Sequence, residues 1–152
     1  MDHPGIDEAE QAAAMLAAAG MARMPARVMM ALVGSPDEGY TAAELSERLG
    51  VSPAAVSGAV RYLQSMQLIQ RISRPGDRRD RYDLADGAFQ GVSVGQAPMF
   101  TALAGLIDAI GSANPSAPAS VARAHETADF LRFLAVRMPE LVDEWRTQRT
   151  HE

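Results

Sequence analysis

The sequence has no cysteine. Disulfides, thiolate metal sites, cysteine nucleophiles and thiol redox sensing are therefore excluded. It has no lysine either: all 14 basic residues are arginine. No uninterrupted apolar run approaches the roughly 18 residues of a membrane helix, so no membrane partner is expected. The N-terminal stretch MDHPGIDEAEQ is acidic. It lacks the positive start of a signal peptide, and the expected location is cytoplasmic. The three histidines, His3, His125 and His151, have no ligand-like spacing, so neither metal nor cofactor is expected. His125 beside Glu126 reads as a surface histidine rather than a metal ligand or pH sensor. Carboxylate pairs, phosphate-binding glycine loops and nucleophile–base motifs are missing. The G-x-S-x-G letters of residues 91–95 follow no clear strand and read as chance. The chain is not expected to be an enzyme.

What is present is a chain of 152 residues, 47% apolar and 22% charged, enough to bury a core unaided. The net charge of -5 hides an asymmetry. Residues 52–82 hold Arg61, Arg71, Arg74, Arg78, Arg79 and Arg81 against Asp77 and Asp80, a net +4, which leaves -9 for the rest. A basic segment in an acidic protein offers one face to a polyanion and repels it elsewhere.

Periodicity predicts a helix over residues 6–21, stopped by Gly20, and a second over 25–33 opened by Pro25. Residues 34–39 are a loop. Thr41 and Glu44 form a capping box that starts a short helix through Leu45 and Leu49, ended by Gly50. Ser52 and Pro53 then cap and open a helix over 53–66, with Val56, Val60 and Leu63 facing the core. Two helices joined by a turn of about three residues containing Gly make a helix-turn-helix. The other faces of the second helix carry Ala54, Ser57, Gly58, Arg61 and Tyr62, small near its start. Strands over 68–72 and 81–84 flank an arginine-rich turn bent at Pro75-Gly76. This hairpin makes the unit a winged helix, and Tyr40 is placed to add a short third strand. Residues 86–96 read as a Gly-rich connector. A helix follows over 98–110, a loop over 111–120, and a long helix to Met138 that bends at Pro139 and continues to about Thr147. Val121, Ala124, Ala128, Leu131, Ala135 and Met138 form one stripe on it. Phe130, Leu134, Leu141 and Trp145 form a second, which calls for a second partner.

The order of elements resembles the MarR superfamily of bacterial transcriptional regulators, and within it the GbsR-like branch common in actinobacteria. The match is carried by Thr41-Ala42-Ala43-Glu44-Leu45, Leu49-Gly50-Val51-Ser52, Val56-Ser57-Gly58-Ala59-Val60-Arg61-Tyr62-Leu63, Leu68-Ile69-Gln70-Arg71 and the wing from Pro75 to Tyr82. The resemblance implies a mainly α fold with a small antiparallel β-wing, a winged helix-turn-helix flanked by N- and C-terminal dimerisation helices. It divides the chain into a dimerisation helix (1–24), a DNA-binding domain (25–86) and C-terminal dimerisation helices (87–152). It implies a homodimer on double-stranded DNA, helix 53–66 in the major groove and the wing in or beside the minor groove. The family's Asp-x-Arg wing feature falls on Asp77 and Arg79, where the acid orients basic side chains. Gly58 stands where many relatives carry a long polar side chain.

On that reading Ser57 and Arg61 face the groove, Arg61 suited to guanine or phosphate. Ser52, Pro53 and Ala54 lie at a helix N-terminus that favours phosphate, although Ser52 is first a cap. Tyr62 either touches the DNA backbone or shields the core. Arg78, Arg79 and Arg81 are the foremost DNA contacts, with strand alternation putting Arg79 and Arg81 on one face. Arg74 and Arg71 either join them or pair with acids of the same domain. Met29, Met30, Met99, Phe100, Leu103, Phe130 and Phe133 are candidates to line a pocket for a small apolar or aromatic effector; each is otherwise plain core. The expected function is a repressor on a pseudo-palindromic operator. The competing reading is a winged helix that docks an acidic protein partner.

Overall fold

The structure is a computed structural model that describes residues 3–113 and 115–150. His151, and Asn114 of the predicted loop, lie outside the described residues. The chain divides into two units at Ala88/Phe89.

In the first unit, helix α1 spans Ile6–Ala18, shorter than the sequence reading. The amides of Gly20 and Met21 turn back onto the carbonyls of Ala17 and Leu16 (3.1 and 3.0 Å), with Gly20 at φ 107°. This Schellman closure stops the helix before Met21. Helix α2 spans Arg23–Val33, two residues earlier than predicted, because a proline in the first turn sacrifices no helical hydrogen bond. Strand β1 is Tyr40–Thr41. Helix α3, Ala42–Leu49, opens on the full capping box, and Gly50 closes it at φ 60°. Three residues later helix α4, Pro53–Ser65, begins with the Ser52 hydroxyl accepting from the Ala55 amide at 3.2 Å.

Strands β2 (Ile69–Ile72) and β3 (Arg81–Leu84) form the hairpin. The sheet order is β1-β3-β2, antiparallel throughout. Tyr40 faces Tyr82 and Arg71 faces Tyr82 from the other side, so β3 is central. The core beneath is aliphatic: Val28 and Leu32 of α2, Leu45 of α3, and Val56 and Leu63 of α4 are the largest fully buried side chains. The short sheet and the three helices thus form one winged helix-turn-helix.

The predicted connector over 86–96 is corrected. Residues Ala88–Gly95 form helix α5 after Gly87 at φ 67°. Gly91 and Gly95 each cost a helix about 1 kcal/mol, which the absence of proline and the run of apolar neighbours tolerate. The G-x-S-x-G letters lie inside this helix, with the Ser93 hydroxyl on the Phe89 carbonyl, not on a strand-to-helix turn.

In the second unit, helix α6 (Ala97–Ser112) packs on helix α7 (Pro118–Arg149). Helix α7 continues through Pro139. Small residues make the crossing: Ala104, Gly111 and Ala128 are buried, and a β-carbon on Gly111 would stand 2.7 Å from that of Ala124. The large apolar side chains point outward, among them Leu106 at 65% exposure and Ile110 at 69%. Residues Ala88–Ser112 are also long and apolar enough to cross a membrane by length and composition, with a window hydropathy of 1.2. Uninterrupted run length does not pick out this stretch, because Gln, Gly and Pro interrupt it while its Ala, Val, Leu, Ile, Met and Phe residues raise the mean.

Candidate nucleic-acid interface

The Ser52 cap and Pro53 fix α4 at its beginning, and its Val56, Val60 and Leu63 anchor it from below. The opposite surface is open. Ser52, Pro53, Ala54, Gly58, Arg61 and Tyr62 are exposed and Ser57 is half-buried. A β-carbon on Gly58 would meet nothing within 4 Å, so no packing inside the chain requires glycine there. The Arg61 guanidinium has no partner among the described residues.

The wing arginines divide into free and engaged. Arg78 is exposed and makes no hydrogen bond or ion pair among the described residues. Arg71 pairs with Asp80 at 3.3 Å and Arg74 with Glu38 at 3.0 Å, both half-exposed contacts. Such pairs stabilise little and exchange partners readily. Arg79 binds Asp77 through its backbone amide (3.0 Å), Nε (3.1 Å) and Nη2 (3.4 Å), yet its side chain stays 68% exposed. Those hydrogen bonds from Arg79, aided by Arg81, hold the Asp77 carboxyl down to about 2 and raise Arg79. The Asp-x-Arg pairing expected of the wing is therefore made.

Arg81 departs from the sequence reading. Its side chain is 12% exposed and its Nη1 donates to the Gly39 carbonyl at 3.1 Å and to Glu44 at 3.3 Å. A contact to nucleic acid would have to break that cluster, which sets Arg81 apart from the exposed Arg78 and Arg79. Arg79 and Arg81 do converge on one carboxylate, but strand alternation is not the cause, because β3 begins only at Arg81. Sequence reasoning also missed Glu38 and Glu44. They lie outside the basic segment, and together they halve its net excess of four positive charges. Glu44 was legible only as a cap. Burial pushes its carboxyl up, but the Thr41 amide and hydroxyl and the charges of Arg81 and Arg79 leave it lowered overall.

The candidate effector residues are spread over both units. Met29 is core. Met30 borders an open groove of about 280 Å³ with Ala9, Ala12 and Val33. Met99, Leu103, Phe130 and Phe133 are exposed at 40–58% and Phe100 is half-buried. His125 lies 3.3 Å from Asp129 and 3.8 Å from Asp108, not on Glu126, and Arg132 binds both aspartates. Among the described residues no three His, Asp or Glu side chains are grouped to hold a metal ion.

Three antiparallel strands closing on a helix-turn-helix, with free guanidinium groups on its outer face, define a winged-helix protein of the nucleic-acid-binding type. Comparison places it further. Residues 19–80 match the MarR family profile, and residues 87–148 match that of the MmpR5-like MarR family transcriptional regulator. Over both stretches the chain carries MarR family transcriptional-regulator domains, and members of that family are DNA-binding regulators rather than enzymes. A crystal structure described as that of a transcriptional regulator shares the fold, with TM-score 0.75 and 24% identity over 95% of this chain and 99% of that one. No curated protein matches the sequence.

Proposed function

We propose that the chain is a homodimeric, cytoplasmic transcriptional repressor that reads a pseudo-palindromic operator with α4 and the wing, and is modulated by a small apolar or aromatic ligand. The observation that carries this reading is the state of the arginines. In a chain of net charge -5, Arg61 on α4 and Arg78 on the wing are cations without an acid partner among the described residues. Arg79, next to Arg78 in sequence, stays mostly exposed. Free guanidinium groups on an acidic protein seek an external anion, and duplex DNA offers one at each phosphate. Ser57, Gly58 and Ala54 leave α4 slim enough for a major groove, and Ser52, Pro53 and Tyr62 border it; Arg74 joins once it leaves Glu38.

Dimerisation is supported by the second unit. Its helix pair buries alanines and leaves Leu106, Ile110, Phe130 and Phe133 exposed, an arrangement that a second copy would cover. The same apolar face offers an alternative to a membrane span for residues 88–112. The effector part of the proposal draws on Met30 and on Met99, Phe100 and Leu103, whose flexible or aromatic side chains suit varied apolar ligands. The GbsR-like resemblance covers about residues 26–84, where the family match is to MarR without a branch, whereas the match over 87–148 is to the MmpR5-like regulators.

The test is retention of the purified chain on random-sequence duplex DNA at low salt, followed by selection of its preferred site and light scattering for its mass. The expected result is retention lost steeply with salt, a dimer mass, and two half-sites about 34 Å apart centre to centre. Failure to bind duplex DNA, with binding to an acidic protein instead, would replace this reading with a protein-docking winged helix.

A further inference from the structure

Arg81 holds a different place from the other wing arginines. It lies on the central strand, paired with Thr41 on one side and Ile72 on the other. Its guanidinium reaches three separate segments. Nη1 donates to the Gly39 carbonyl before β1 at 3.1 Å and to Glu44 Oε2 in the first turn of α3 at 3.3 Å. Nε stands 3.5 Å from Asp77 Oδ2 in the wing turn. Both carboxylates have second duties. Glu44 Oε2 also accepts the Thr41 amide at 2.7 Å, capping α3. Asp77 Oδ1 accepts the backbone amide and Nε of Arg79 at 3.0 and 3.1 Å. A planar fork of donors can satisfy three acceptors in fixed directions, which a single ammonium cannot reproduce.

We infer that Arg81 is a positioning residue: it ties the wing to the first turn of α3 and, through Asp77, sets the direction in which the exposed Arg79 points. Arg79 bridges both oxygens of the Asp77 carboxylate, and Arg81 approaches the second of them, so Oδ2 is shared by Arg79 Nη2 at 3.4 Å and Arg81 Nε at 3.5 Å. Rotation of Asp77 would therefore disturb both contacts together. The inference rests on the proposal that the wing meets DNA.

The test is a double-mutant cycle read by anisotropy of a fluorescein-labelled random-sequence duplex, titrated over salt, with full-length wild type, Arg79→Ala, Arg81→Lys and the double variant. Arg81→Lys keeps the net charge, so long-range attraction is unchanged. Arg79→Ala is expected to weaken binding and to make the log–log salt slope shallower by about 0.9 for each phosphate lost. Arg81→Lys is expected to weaken binding by a smaller factor and to add nothing once Arg79 is Ala. Glu44→Gln serves as the second variant. It retains a capping acceptor while removing the charge that Arg81 meets, and the same loss of effect in the Arg79→Ala background is expected. An Arg81→Lys effect that persists undiminished without Arg79 overturns the inference. So does the absence of any Arg81→Lys effect when Arg79→Ala alone weakens binding. If Arg79→Ala changes neither affinity nor slope, Arg79 is no DNA contact, and the positioning role falls even if Arg78 still meets the duplex.

Discussion

Replacing Gly39 by alanine tests how the wing is held against the helix-turn-helix. Gly39 has φ 69°, in the left-handed region. A β-carbon there would lie 2.4 Å from the Tyr82 carbonyl oxygen and 3.0 Å from its carbon. These are backbone atoms of the central strand, and Tyr82 is paired with Tyr40 on one side and Arg71 on the other. The strand cannot retreat without opening the sheet. The left-handed conformation costs alanine about 1 kcal/mol, and a forced overlap of this kind typically about 1–3 kcal/mol more. The sum, about 2–4 kcal/mol, is a large share of the ~5–15 kcal/mol that holds a domain folded. Urea unfolding of full-length Gly39→Ala should show that loss with an unchanged m-value. Gly58→Ala is the control: its β-carbon meets nothing within 4 Å, and the change should stabilise α4 by up to about 1 kcal/mol. A loss below about 1 kcal/mol at Gly39, or equal effects at the two glycines, would refute the reasoning.

Three further outcomes follow from the same geometry. Arg78→Ala should make the salt slope of DNA binding shallower by about 1.8 for a dimer, so that over a fourfold rise in salt the wild type loses about 12-fold more affinity than the variant. Arg71→Ala, whose cation already meets Asp80 at 3.3 Å, should shift the slope far less, and equal slopes would count against the division into free and engaged arginines. Gln67 sits at φ 57°, closing α4 through Leu68 N on the Leu63 carbonyl; Gln67→Gly should raise the melting temperature, by up to about 1 kcal/mol of stability, and a fall would show that its side chain earns its strained place. Asp77 is depressed from 3.8 to about 2 by Arg79 and Arg81, so its contribution is complete above about pH 4 and is lost as pH falls toward 2. Asp77→Asn should flatten the stability profile across that window, and an unchanged acid limb in denaturant titrations would contradict the pairing.

Much of the fold was legible because its signals are local. The Thr41–Glu44 box, Gly50 and Ser52-Pro53 each fix a backbone position through atoms within three or four residues, and both helices form where those atoms require. The β3 start at Arg81 and the third strand at Tyr40 also agree with the sequence. Residues 88–95 were misread because glycine weighs against a helix only by about 1 kcal/mol per residue, and the stretch holds no proline to break one. The candidate DNA-facing residues were identifiable as residue types on exposed faces. Their availability was not.

That difference has a physical origin. A count of charges along a segment treats every arginine alike, yet a guanidinium is free for an external anion only if no carboxylate has reached it first. Which carboxylate does so depends on sheet register. Because Thr41 faces Arg81 across β1–β3, the capping glutamate three residues beyond Thr41 comes within 3.3 Å of that guanidinium. Because the turn at Pro75-Gly76 folds Asp77 back, one acid serves both Arg79 and Arg81. Glu38, from the loop before β1, reaches Arg74. Asp77 lies two and four residues from its partners, but Glu38 and Glu44 stand 36 and 37 residues from theirs, and no spacing rule could assign those two. The same local signals that made the fold readable, a capping box and a tight turn, therefore helped decide which cations were paired inside the protein and which stayed exposed among the described residues.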